Sequence, residues 1–337
     1  MIQREDRIKA LATVGIILQN LRNSERAEMH RRAQAENAWF TEQSVDQALA
    51  GVQRYLEPDK LRKWICHLPD FPTTSKKIGV VMAGNIPLVG FHDFLTVLIS
   101  GHTLWGKLSS QDAYLLRYVA QLLTEIEPRF EPHIRWVDTL KKADAIIATG
   151  SDNTARYFEY YFAKYPHIIR KNRTGVGVLR GNESIEGLQA LGRDVFQYFG
   201  LGCRNVSKLW VPPDYDFVPL IEAWETYHDV LLHHKYHNNY DYNKSIHLVN
   251  GDPFLDTGFA LLKENVALVS PISMVFYETY IDRADLEQKS STHKEKIQCV
   301  VSENGWWSGS IPFGQAQQPE LWDYADGVDT LAFVNGL

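Results

Sequence analysis

The chain has 337 residues, 45% of them hydrophobic and 12% aromatic, which is enough for a large core divided between two domains. A formal net charge of -6 provides no basic field to hold nucleic acid. Three widely spaced cysteines, Cys66, Cys203 and Cys299, form no disulfide framework and suit a cytoplasmic setting, and the short apolar run at 11–18 is neither a signal peptide nor a membrane span.

Residues 2–22 carry Ile8, Leu11, Val14, Leu18 and Leu21 at helical spacing. Ser24 is placed to cap a second, highly charged helix that runs to residue 37. Thr41 or Ser44 opens a third, with Val45, Leu49, Val52 and Leu56 on one face. Pro58 opens a fourth through Leu61, Trp64 and Ile65. Residues 1–76 therefore read as a helical lead-in, with a linker at 69–75.

Residues 78–83 are continuously apolar, as in a strand buried on both faces, and end in Gly84-Asn85-Ile86-Pro87. The chain then predicts a helix at 89–100, a strand at 103–108 and a helix at 113–126, the last capped by Ser109, Ser110, Gln111 and Asp112. Strands near 134–137 and at 143–149 follow, then a helix at 154–162. Such alternation means a parallel sheet with crossover helices, whose ligands lie at the carboxyl ends of the strands. Three loops there are expected to serve one site: Gly84-Asn85, the segment carrying Lys107 and Ser109, and Gly150-Ser151. The last leads into a helix N-terminus, a natural seat for phosphate. No G-x-G-x-x-G is present, so the ordinary dinucleotide fingerprint is absent.

Residues 199–212 place Cys203 just after Gly200-Leu201-Gly202 and before Arg204 and Lys208. A thiol near cations, at a loop that opens a helical turn, is expected to have a lowered pKa and to act as a covalent nucleophile. The plain alternative is a small core hydrophobe. The surrounding segment, 181–302, reads as a second α/β unit. It has a helix at 185–199 capped by Ser184, a strand at 208–211, a helix at 215–233, and strands at 245–249, 267–269 and 274–277. His233, His234 and His237 have no carboxylate or cysteine ligand near them in sequence, so no metal is assigned. The aromatic run at 157–165 reads as core or subunit contact, and Cys66 and Cys299 as structural.

Taken in order, these stretches resemble the acyl-CoA reductase family, the reductase component of bacterial luciferase aldehyde supply, within the aldehyde dehydrogenase superfamily. The likeness covers most of the chain from Trp39 onward. Val81-Met82-Ala83-Gly84-Asn85-Ile86-Pro87 resembles the family's strand followed by Gly-Asn-x-Pro, and the role of oxyanion-hole asparagine carries to Asn85. The 100–110 stretch resembles Gly-Asn-x-Val-x-x-Lys-Pro-Ser, whose lysine approaches the cofactor ribose or its phosphate, a role that carries to Lys107. Gly150-Ser151 resembles the Gly-Ser that receives the cofactor pyrophosphate, and Cys203 stands where the superfamily has its thiol nucleophile. The 322–327 stretch resembles a C-terminal family element without assigned chemistry.

The resemblance implies an aldehyde dehydrogenase-like α/β fold, with a nicotinamide-binding domain at 77–180, a catalytic domain at 181–302 and a C-terminal return segment at 303–337. It departs from the pattern in three places. Leu108 replaces a proline, Leu201 stands where a glutamine is common, and residues 171–180 lack the glutamate that oxidising members carry in Glu-Leu-Gly-Gly. That carboxylate activates water on a thioester, so its absence favours reduction of an acyl thioester to an aldehyde. The implied donor is acyl-CoA or another, for example fatty, acyl thioester, with an acyl-transferring partner protein and a homo-oligomer as further partners. Lys107 with Ser109, and no committed acid beside them, favours NADPH over NADH. A CoA-acylating aldehyde dehydrogenase, an acyl-phosphate reductase and a non-catalytic scaffold of the same fold stay as alternatives.

Overall fold

Four helices open the chain in the computed structural model, which describes residues 2–337: α1 (Arg4–Gln19), α2 (Asn23–Glu36), α3 (Glu42–Tyr55) and α4 (Pro58–Trp64). Ile8, Leu11, Val14 and Leu18 of α1 are buried, as their spacing predicts. Thr41 caps α3 by accepting the Ser44 N–H at 3.2 Å. Ser24 does not cap α2; Arg22 is the N-cap residue, and its N–H donates to Glu25 at 3.0 Å.

Five strands then form a fully parallel sheet: β1 (Lys77–Val81), β2 (Thr103–Lys107), β3 (Ile134–Trp136), β4 (Ala145–Thr149) and β5 (His167–Arg170). Their order is β3-β2-β1-β4-β5. Helices α5 (Phe91–Ile99), α6 (Tyr114–Ile126) and α7 (Asp152–Phe162) alternate with them. The order reverses at β1, so the carboxyl ends of β1 and β4 flank a topological switch point. Two details differ from expectation. Residues 109–112 do not cap α6; Glu36 of α2 accepts the Ala113 and Tyr114 N–H groups instead, at 2.8 and 2.9 Å. Strand β5 was not visible in sequence, because its Arg170 is a buried charge, paired with Asp93 at 2.5 Å and donating to Thr330 at 2.8 Å. The aromatic run divides: Phe158, Phe162 and Tyr165 pack on the sheet, while Tyr157, Tyr160 and Tyr161 are exposed.

Arg173–Pro319 make a second compact unit, the first being Met1–Asn172 with Glu320–Leu337. Its elements are β6 (Thr174–Val178), α8 (Ile185–Phe196), β7 (Val206–Val211), α9 (Val218–Trp224), α10 (His234–Asn250), β8 (Leu255–Asp256), β9 (Leu261–Glu264), β10 (Met274–Thr279), α11 (Arg283–Thr292), β11 (Ile297–Ser302) and β12 (Ile311–Pro312). The strands form one mixed sheet, β12-β11-β6-β7-β10-β9-β8, in which only β8 runs antiparallel to its neighbour. Strand β6, which no sequence signal marked, pairs in this sheet between β7 and β11. Ser184 caps α8 through the Gly187 N–H at 3.0 Å.

The expected strand at 245–249 is instead the end of α10. The helix buries Tyr236, Tyr240 and Asn243, an i, i+4, i+7 stripe, and leaves the misleading Leu248 and Val249 in solvent. Residues 267–269 are not a strand either, but part of the connection from β9 to β10. The chain ends in α12 (Thr330–Asn335), which returns to the first unit. There the 322–327 stretch meets α4: Trp64 donates to the Tyr324 hydroxyl at 2.8 Å, and the Lys63 ammonium lies 4.2 Å over the Trp322 ring.

Candidate active site

In the first unit, the predicted cofactor residues lie at the carboxyl ends of three adjacent strands. Lys107 of β2 and Ala148 of β4 are both register partners of Val81, the last residue of β1. Gly84 and Asn85 follow that strand, and Gly150 and Ser151 follow β4. Ser151 caps α7 by accepting the Thr154 N–H at 3.3 Å. A Cβ at Gly150 would stand 3.0–3.1 Å from Phe158 and Thr154, so glycine suits this close strand-to-helix passage. Gly84 is tighter still, with Ser109 Oγ 2.6 Å from where a Cβ would be. Lys107 is exposed, and no acidic side chain pairs with it among the described residues.

The Asn85 loop is rigidly held, although Asn85 itself is exposed. Buried Asn37, just after α2, donates to the Gly84 carbonyl at 2.9 Å. Asp112 accepts the Leu88 N–H at 2.7 Å, and Leu88 sits at φ 58°, a conformation a branched residue adopts only under constraint. Burial pushes the Asp112 carboxyl up to about 7, opposed by that N–H and assisted by Glu36. Sequence reasoning missed both supports, since each lies far along the chain from the loop it holds.

In the second unit, Cys203 is exposed at the tip of a reverse turn directly before β7. It does not open a helix, contrary to expectation. The Asn205 N–H donates to the Gly202 carbonyl at 3.0 Å, and Asn205 Oδ1 accepts the Gly202 N–H at 2.8 Å. The Asn205 Nδ2 group is anchored on the end of α8, on the carbonyls of Asp194, Val195 and Gln197 at 2.9, 3.2 and 2.7 Å. Asp194 in turn accepts the N–H groups of Gly314 and Ala316 at 2.7 and 3.0 Å. Tyr198, Phe199 and Gly200 run consecutively at positive φ, 52°, 57° and 78°, and bring the chain from α8 into the turn. Asn205 was legible in principle, since Gly-x-x-Asn is a turn signal.

The expected activation by Lys208 does not hold. Its side chain is buried, pairs with Glu278 at 2.9 Å and also donates to the Asn265 carbonyl. Burial lowers its pKa, and the bond to Glu278 opposes that. Several neutral groups also pack against the thiol turn. A Cβ on Gly175 would meet the Arg204 carbonyl at 2.8 Å, the Cys299 Sγ donates to that carbonyl at 3.7 Å, and the Gln317 amide lies against Gly202. Burial pushes the Cys299 thiol up to about 12, so it stays protonated.

No protein-family model and no curated protein matches the chain. Solved structures do. The NAD+ complex of an aldehyde dehydrogenase from Bacillus cereus superposes with a TM-score of 0.64 at 12% identity, over 89% of this chain and 72% of that one. Aldehyde dehydrogenase 21 from Physcomitrella patens, in complex with its reaction product succinate, gives 0.66 at 14% identity, over 90% and 73%. An NADP-dependent enzyme of E. coli gives 0.65 at 12%, over 90% and 73%. The chain therefore has an aldehyde dehydrogenase-like fold.

Proposed function

We propose that this chain is a nicotinamide-dependent oxidoreductase that reduces an acyl thioester to an aldehyde through an acyl-enzyme on Cys203. The observation that carries the reading is the Cys203 turn: an exposed thiol on a frame closed by the Asn205 side chain. The one buried carboxylate of that frame, Asp194, is taken up by two backbone N–H groups. Residues 171–180 carry no glutamate to activate water on a thioester, which favours its reduction over its hydrolysis.

The Cys203 thiolate attacks the acyl carbonyl, the new S–C bond forms, and the donor's S–C bond breaks to release a thiol such as coenzyme A. The Asn85 side-chain amide and a backbone N–H of the thiol turn are assigned to the oxyanion. When bound, the reduced nicotinamide supplies hydride to the carbonyl of the acyl-enzyme. Cys203 then leaves as thiolate and the aldehyde departs. Gly84, Gly150 and Ser151 fit a pyrophosphate, since backbone approaches closely and a capped helix N-terminus is on hand. The uncommitted ammonium of Lys107, with Ser109 two residues on, suits a ribose 2′-phosphate and favours NADPH.

The test is to mix the protein with an acyl-CoA and NADPH and to follow nicotinamide absorbance together with free thiol and aldehyde. Equal amounts of NADP+, thiol and aldehyde support the reading. Release of carboxylic acid without NADPH oxidation overturns it.

A further inference from the structure

Beside the thiol turn, within the second unit, lies a cavity of about 50 Å³. Its wall includes Phe199 and Gly200, just before the turn, and Val206 and Ser207, just after it, so its lining brackets Cys203 in the chain. Phe196, Met274 and Val275 make much of the rest apolar. The serines of the wall already have acceptors: Ser207 donates to the Leu268 carbonyl at 3.0 Å and Ser270 to that of Met274 at 2.6 Å.

Tyr236 of α10 differs. Its side chain also lines the cavity and is 1% exposed, and its hydroxyl is buried without any hydrogen-bond partner. Buried hydroxyls are normally bonded, and leaving one unmade is costly, so such a group marks a place for an occupant. Burial pushes the phenol upward, so it keeps its proton across the working pH range. No lysine, arginine, histidine, aspartate or glutamate lines the cavity, so a charged occupant would be unmatched. Phe199, held at φ 57°, closes the wall with its ring 6.1 Å from that of Tyr236. The volume takes roughly four water-sized groups, which suits a short chain and not a long one.

We propose that this cavity is the acyl subsite of the Cys203 centre, and that it selects short acyl groups bearing a neutral oxygen, a hydroxyl or keto group, that hydrogen-bonds the Tyr236 hydroxyl. The inference rests on the acyl-enzyme reading and narrows its substrate class. A hydroxyl or keto oxygen satisfies Tyr236, whereas an unsubstituted chain of equal length leaves it unbonded.

The experiment measures the initial rate of Cys203 acylation by quenched intact-mass spectrometry, without cofactor. The donors are butanoyl-CoA, 3-hydroxybutanoyl-CoA, acetoacetyl-CoA and dodecanoyl-CoA, on the wild type, on Tyr236→Phe and on Ser270→Leu. The wild type is expected to favour an oxygenated four-carbon donor over butanoyl-CoA at least about tenfold. Tyr236→Phe is expected to lose that preference. Ser270→Leu, which fills the cavity, is expected to slow all four-carbon donors. A wild type that prefers dodecanoyl-CoA, or shows no oxygen preference, overturns the subsite and leaves the acyl-enzyme standing. An oxygen preference that survives Tyr236→Phe also overturns it. Absence of acylation by every donor overturns the acyl-enzyme reading and the subsite together.

Discussion

Asn205 closes the turn that carries Cys203 from both ends, accepting the Gly202 N–H at 2.8 Å through its side chain and returning its own N–H to the Gly202 carbonyl at 3.0 Å. The same side chain ties the turn to three carbonyls at the end of α8. One buried side chain therefore ties the thiol turn to α8.

Asn205→Ala is expected to leave those carbonyls and the Gly202 N–H without partners and to cost about 2–4 kcal/mol of stability. Urea denaturation measures this. Acylation of Cys203 should fall further than the loss of folded protein explains. An unchanged midpoint and acylation rate would mean the turn stands without Asn205.

Asp112 should make the first unit pH-sensitive. Its folded pKa, about 7, lies above the ordinary 3.8, so the folded state holds a proton the unfolded chain has released. Stability contributed by this group is full below about pH 4 and declines as pH rises towards 7. Asp112→Asn removes the dependence and keeps an acceptor for the Leu88 N–H. Relative to wild type, the variant should gain on the order of 1–3 kcal/mol between pH 5 and pH 8. A difference that is the same at both pH values contradicts this titration.

Much of the framework was legible in sequence, for identifiable reasons. The run from Ile78 to Val81 is apolar because it is covered on both faces, and the hydroxyls of Thr41, Ser151 and Ser184 announce their helices within three residues. Reading failed where long-range contacts decide. Arg170 makes a polar-looking segment a buried strand because Asp93 waits opposite it. Leu248 and Val249 look like strand residues, yet belong to a helix positioned by Tyr236, Tyr240 and Asn243. Cys203, Asn85 and Lys107 could be named from local pattern, whereas the roles of Asn37, Asp112 and Asp194 depend on partners distant in the chain.

Asn85→Ala should slow acylation of Cys203 by roughly 100-fold, the usual effect of deleting one oxyanion donor. The side chain is exposed, so the melting temperature should hardly move. Stopped-flow acylation with a chromogenic thioester checks this, and an unchanged rate removes Asn85 from the oxyanion hole.

Lys107→Met keeps the aliphatic stem and deletes the charge. NADPH affinity should drop by about 1–3 kcal/mol, the range for a charge-assisted hydrogen bond, and NADH affinity by less. Fluorescence titration of both cofactors decides it. Equal losses would place the lysine on the ribose and not on a 2′-phosphate.

The acyl-enzyme itself is the most direct test. Intact protein is incubated with an acyl-CoA in the absence of cofactor, its mass is recorded, and NADPH is then added. The account predicts one acyl adduct, mapped to Cys203 by peptide analysis, absent from Cys203→Ala and retained in Cys66→Ala and Cys299→Ala. It further predicts that NADPH discharges the adduct as aldehyde. An adduct on another residue, or aldehyde formed at the wild-type rate by Cys203→Ala, would contradict it.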